Sequence, residues 1–116
     1  DDDKKIITVV TPNLNSIVLD DDDKSITLTD QNKNSVTLNT NGIAIDSPKD
    51  ISITAKGTID IDAVGKINVS SKADIAQSGL NISNTANVGF SAKGNATAEL
   101  SASGQTTVKG AIVMIN

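Results

Sequence analysis

The sequence predicts an all-β fold, an intertwined triple-stranded β-helix (a trimeric β-prism) built from octad repeats. Three observations predict it. An apolar-x-apolar pair returns every eighth residue in Ile43-Ala-Ile45, Ile51-Ser-Ile53, Ile59-Asp-Ile61 and Ile67-Asn-Val69. Alternation within each pair is the period-two mark of a strand with one buried face, and its fixed return marks a repeat. Polar links separate the pairs, with Gly57 and Gly65 two places before the next one, where a corner favours a residue without a side chain. Finally, aromatic residues make up 1% of the 116 residues, so Ile, Val, Leu and Ala must do the burying. Ordering so long a backbone costs more than the aliphatic burial of one such chain returns, unless other chains complete the core.

Taken in order, residues 1–42 read as irregular rows with longer loops. Their pairs, Ile7-Thr-Val9, Ile17-Val-Leu19, Ile26-Thr-Leu28 and Val36-Thr-Leu38, start nine or ten residues apart, and the polar connections between them carry turn chemistry. Asp20-Asp-Asp-Asp-Lys24 reads as a solvated loop, because calcium loops space their ligands and place a Gly at the bend. Asp1-Asp-Asp-Lys4 is the better candidate for a tag remnant, and the start at Asp1 without Met reads as a piece of a longer protein.

Residues 43–79 form the regular octad helix. Residues 80–116 restore the pattern after a five-residue reset near Gly79: Leu80-Asn-Ile82, Val88-Gly-Phe90, Ala96-Thr-Ala98 and Ile112-Val-Met114 share one octad, with a weak row at Gly104-Gln-Thr106. Ser78, Ala86, Gly94, Ala102 and Gly110 then stand two places before their rows, the phase of Gly57 and Gly65. A third inward place is held by Ala55, Ala63, Ser71, Ala92, Leu100 and Val108, so that small and large residues compensate within a layer. The predicted core lining is Ile43, Ile45, Ile51, Ile53, Ile59, Ile61, Ile67, Val69, Leu80, Ile82, Val88 and Phe90.

So short a repeat implies a solenoid, either one chain in triangular coils or three chains wound on one axis. Three chains are favoured. A lone slender coil leaves a thin core and open end rows, whereas closure among three chains removes lateral edges and pairs each row with neighbours from the other two. At about 4.8 Å per row, the roughly 14 rows span about 65 Å.

The octads from Ile43, the preceding ladder with Asn13 to Asp20 and Asn41-Gly-Ile43, and the ending Val108-Lys-Gly-Ala-Ile-Val-Met-Ile-Asn116 resemble the C-terminal needle of VgrG proteins. These are trimeric spike proteins of bacterial type VI secretion systems, similar to the central spikes of contractile phage tails. The resemblance implies a homotrimeric, membrane-puncturing spike, assembled in the bacterial cytoplasm and translocated into a target cell. It also implies an Hcp tube reached through a base outside this chain, and a PAAR-repeat tip protein or effector at the C-terminal end. The implied docking surface is Ile112, Val113, Met114, Ile115 and Asn116. Some phage spikes end in a His-bound iron, from which this chain departs, having no His. A phage or contractile-injection tail spike or fibre segment is the alternative. A glycan-binding adhesin fibre is the other, but it calls for exposed aromatic residues, and the only aromatic residue, Phe90, falls at an inward phase.

Other functions find little support. A net charge of −4 argues against a nucleic-acid surface. No run of 18 apolar residues suggests a membrane span. Without His or Cys, and with carboxylates in links or on outward positions, no enzyme, cofactor or metal site is expected. Asp60 and Asp62 lie two apart, but a smooth prism offers no cleft to raise a carboxyl pKa. The assignment of faces is testable. Ile59→Asp places three carboxylates around one axial layer and is expected to prevent assembly, whereas Asp60→Ala leaves thermal unfolding nearly unchanged. Equal effects on the melting midpoint mean that the faces are reversed.

Overall fold

The structure, a computed structural model, describes residues 5–116, so the candidate tag remnant Asp1-Asp-Asp-Lys4 lies outside the described residues. The chain forms two compact units, one ending at Ile67 and the other running from Asn68 to Asn116.

The first unit is built on a five-stranded antiparallel meander. Its strands are β1 (Ile6–Val10), β2 (Ser16–Asp20), β3 (Ser25–Thr29), β4 (Ser35–Asn39) and β5 (Gly42–Asp46), in spatial order β1-β2-β3-β4-β5. Thr- and β-branched-rich runs of five residues separated by turn residues favour this arrangement. Pairing for these rows is within the chain, not between chains as expected from the octad argument. The physical reason lies in the connections, which are short and turn-forming enough to fold each strand back on its predecessor. The first octad pair, Ile43 and Ile45, belongs to β5 and closes this sheet.

Register places every alternating aliphatic residue on one face. Ile7, Leu19, Ile26, Leu38 and Ile43 are successive cross-strand partners, and so are Val9, Ile17, Leu28, Val36 and Ile45. The opposite face carries the row Thr8, Val18, Thr27, Thr37 and Ala44. A slip of one residue in any strand would exchange the two faces, so the aliphatic pattern itself specifies the register.

Each connection carries one residue with positive φ at or near its end or, for the last, just after it: Leu14 (70°), Lys24 (54°), Lys33 (70°) and Gly42 (122°), the first residue of β5. Only Gly42 adopts such a conformation without the Cβ penalty. The β1–β2 and β3–β4 turns are built alike. Leu14 N donates to Thr11 O at 2.9 Å and Thr11 N to Asn15 O at 2.9 Å; Lys33 N donates to Asp30 O at 3.1 Å and Asp30 N to Asn34 O at 3.0 Å. This is a three-residue hairpin loop in which a tight turn is followed by a left-handed residue, with Pro12 preset for the first central place.

Polar side chains tie the two loops together. Asn15 N donates to Thr11 Oγ1 at 3.1 Å, and Asn15 Oδ1 accepts from Gln31 N at 2.8 Å. The Asp30 carboxylate accepts from the amides of Asn32 and Asn34 at 3.0 and 2.9 Å, and from their side-chain Nδ2 atoms at 3.0 and 3.1 Å. Ser47 Oγ then donates to Asn34 Oδ1 at 2.6 Å and accepts from Lys49 N at 3.1 Å, joining the exit of β5 to the same ladder. At the other end, Asp20 Oδ1 accepts from Asp23 N at 3.0 Å, so the acidic run forms the β2–β3 turn.

Beyond Asp46 the described residues contain no strand or helix. The backbone instead bends sharply at 48–49, 56–57, 64–65 and 72–73, at Leu80, and at 87–88, 95–96, 103–104 and 111–112. The octad thus exists in the backbone as well as in the composition. One irregularity interrupts it: fifteen residues, not sixteen, separate the bends at 72–73 and 87–88. The apolar pattern resets by five residues over the same stretch, so the small residues change phase relative to the bends. Gly57 and Gly65 lie within bends, whereas Gly79, Gly94 and Gly110 directly precede them. A Cβ on Gly57 would meet nothing within 4 Å; on Gly94 it would overlap the Thr97 carbonyl oxygen, and on Gly110 it would come within 3.1 Å of the Ile112 carbonyl oxygen.

Two outcomes follow from this backbone. Gly94→Ala is expected to destabilise by about 1–3 kcal/mol because main chain must move to admit the methyl, and Gly57→Ala by less than about 0.5 kcal/mol, as read from thermal or denaturant unfolding. Second, hydrogen bonds from the side chains of Asn34 and Asn32, and then from the Asn34 amide, hold the Asp30 carboxyl below its ordinary pKa. A depressed folded pKa contributes stability that is complete above the unfolded pKa and is lost as pH falls through the folded value. The melting midpoints of the parent and Asp30→Ala are therefore expected to differ at about pH 7 and to converge at about pH 2. A gap that does not narrow refutes the role of this carboxylate.

Candidate interaction surface

The surface is the aliphatic face of the meander. Alternation in each strand aims two aliphatic side chains to the same side, and the antiparallel register sets them in two continuous rows across five strands. Ten side chains result, and none is buried. The central residues Ile17, Leu19, Ile26 and Leu28 are about two-fifths exposed, while Ile43 at the edge reaches 72%. No described residue of the chain is buried at all. One end of this face opens into a concavity of about 600 Å³ lined by Val9, Ile17, Leu28, Val36, Ile45 and Ile51 and bordered by Asn15, Asp30, Asn34 and Ser47 of the polar ladder. Aliphatic floor and hydrogen-bonded rim make a surface suited to covering by another apolar surface.

The remaining residues predicted to line the core also stand open. Ile51, Ile59 and Ile67, at the first place of their rows, are about half exposed, whereas Ile53, Ile61 and Val69, at the second, are about three-quarters exposed. In the second unit Leu80 and Val88 fall at bends and are fully exposed, while Ile82 is 55% and Phe90 70% exposed. The structure therefore groups Ile43 and Ile45 with the β1–β4 pairs on one sheet, brings Ile51 to the same concavity, and leaves the others half exposed or more.

At the C-terminal end, Ile112, Met114, Ile115 and Asn116 are exposed and Val113 is about half covered. Asp60 and Asp62 are exposed on the first unit. Among the described residues no group of three His, Cys, Asp or Glu is placed to hold a metal ion.

The polar ladder is the feature that sequence reading missed. A signal for it exists: Thr11-Pro-Asn-Leu-Asn-Ser-Ile17 and Asp30-Gln-Asn-Lys-Asn-Ser-Val36 share the spacing Asn-x-Asn-Ser-aliphatic behind a capping oxygen. Two polar loops with one spacing point to one turn geometry used twice.

Comparison with known proteins places this surface. No curated protein matches the chain. The family model described as the phage baseplate V C-terminal trimerisation domain matches residues 6–73, which is more than half of the chain and takes in all five strands and the first octads. An aliphatic sheet face left open by one chain is what a trimerisation domain requires, and the chain belongs to the phage baseplate V C-terminal trimerisation domain family.

Proposed function

We propose that this chain is the needle of a type VI secretion spike of the VgrG kind, a rigid homotrimer that punctures a target-cell membrane. The observation that carries the reading is an all-aliphatic sheet face with no buried residue among those described, within a family of trimerisation domains. Water-exposed aliphatic surface on this scale drives association, and two sister chains supply matching surface by symmetry. In this reading the three aliphatic faces turn toward a common axis. The octads beyond Asp46, which have no strand partner within the described residues, pair between chains as an intertwined triple-stranded β-helix. Inter-chain ladders give stiffness along the axis and leave no cleft for catalysis, so the chain acts mechanically and is not an enzyme.

The exposed Ile112, Met114 and Ile115, with Val113 and Asn116, form the blunt end that receives a PAAR-repeat tip protein. A base outside this chain connects the needle to an Hcp tube. The needle is assembled in the bacterial cytoplasm and driven outward into the target cell. The phage baseplate origin of the family favours a second reading, the same needle on a contractile phage tail or related injection machine. Both readings share the trimer and differ in what carries it.

Light scattering of the purified chain is expected to give three times 11.9 kDa. Met114→Asp is expected to keep that mass and abolish co-elution with a PAAR-repeat protein, and retained co-elution removes the tip from the proposal. A mass of 11.9 kDa at micromolar concentration overturns the spike reading altogether.

A further inference from the structure

We propose that Asn41 is a modification site, where the chain deamidates itself through the backbone nitrogen of Gly42. Asn41 and Gly42 are both exposed; Thr40 and Asn41 form the two-residue connection between β4 and β5, and Gly42 opens β5 opposite Asn39. The Asn41 amide nitrogen is held by Asn39 Oδ1 at 2.9 Å, but its own side chain makes no hydrogen bond among the described residues. Its neighbours in the meander differ. The side chains of Asn15, Asn32, Asn34 and Asn39 are each engaged in hydrogen bonds and are followed by Ser, Lys, Ser and Thr. Asn13 has an unengaged side chain but is followed by the bulky Leu14. Only Asn41 combines an unengaged carboxamide with a following residue that has no Cβ, and nothing lies within 4 Å of where that Cβ would be.

The chemistry balances with solvent alone. The Gly42 amide nitrogen loses its proton to base and attacks Asn41 Cγ, the Cγ–Nδ2 bond breaks, and the departing nitrogen takes up protons and leaves as ammonia. The resulting five-membered imide is opened by water at either carbonyl, giving aspartate or isoaspartate. One water enters and one ammonia leaves, with no oxidant or reductant. Each event adds a negative charge to a chain of net charge −4. Isoaspartate also routes the main chain through the side-chain carbon, lengthening a connection that holds Asn39 opposite Gly42. Strand β5 is then loosened, and with it Ile43 and Ile45 on the aliphatic face. The site is a slow, irreversible clock on the edge strand of the sheet.

The test is incubation of the purified full chain, in its native assembly, in mildly alkaline buffer at physiological temperature. Tryptic peptide sequencing by mass spectrometry and isoaspartate labelling follow at intervals. Conversion is expected at Asn41 in the peptide 34–49 well ahead of Asn34 and Asn39, and well ahead of Asn13 in the first turn. Gly42→Ala is expected to slow it severalfold. Because a φ of 122° disfavours alanine, the comparison of Asn41 with Asn13 in the unchanged chain carries the test without that variant. Conversion of Asn13 or Asn39 as fast as Asn41, or an Asn41 that stays intact, overturns the proposal.

Discussion

One constraint governs this protein: its aliphatic side chains are set in rows that the chain itself does not cover. Ten of them lie on one face of a five-stranded sheet, and every described residue retains substantial exposure. Aliphatic surface left in water is unfavourable in proportion to its area, and the single aromatic residue, Phe90, is itself largely exposed. Association is therefore built into folding. Covering that face in a trimer adds to the stability of the sheet.

Within that constraint, local chemistry decides how far one chain organises itself. The meander is self-sufficient in its backbone, because tight turns return each strand to its neighbour and a left-handed residue at the end of every turn matches the twist of the strands. Leu14, Lys24 and Lys33 accept that conformation at some cost, offset at two of the turns by capping from Thr11 and from Asp30. The Asn15 to Gln31 and Asn34 to Ser47 hydrogen bonds extend the ladder across the end of the sheet. Past Asp46 bends about every eight residues replace hairpins, and two of them, at 48–49 and 72–73, are capped by Ser47 and Ser71. A chain that bends in this way has backbone donors and acceptors to offer, and a symmetric partner is the economical source of their complements.

The functional reading rests on this division. The self-paired sheet and the first unpaired octads, through residue 73, match one family domain described as a trimerisation domain. The needle we propose must resist compression and carry no weak cleft, needs that inter-chain ladders around an aliphatic interior would meet. The Asn41-Gly42 connection is a counterpoint, since the glycine that makes the tightest turn without strain is also the residue that leaves its neighbour chemically open.

The strand pairs were legible in the sequence to the residue. Ile7-Thr-Val9, Ile17-Val-Leu19, Ile26-Thr-Leu28, Val36-Thr-Leu38 and Ile43-Ala-Ile45 all lie on one face, because a period of two is a local property of extended backbone. The octad and its interruption near Gly79 were legible for the same reason. What only the tertiary structure decided was partnership and phase. Periodicity says which side a residue faces but not which strand lies beside it, so the intrachain meander over 6–46 depended on turns whose geometry is set by Leu14, Lys33 and the Asp30 cap. Likewise, the need for glycine at 94 comes from close approach of the Thr97 carbonyl, which leaves no trace in hydropathy.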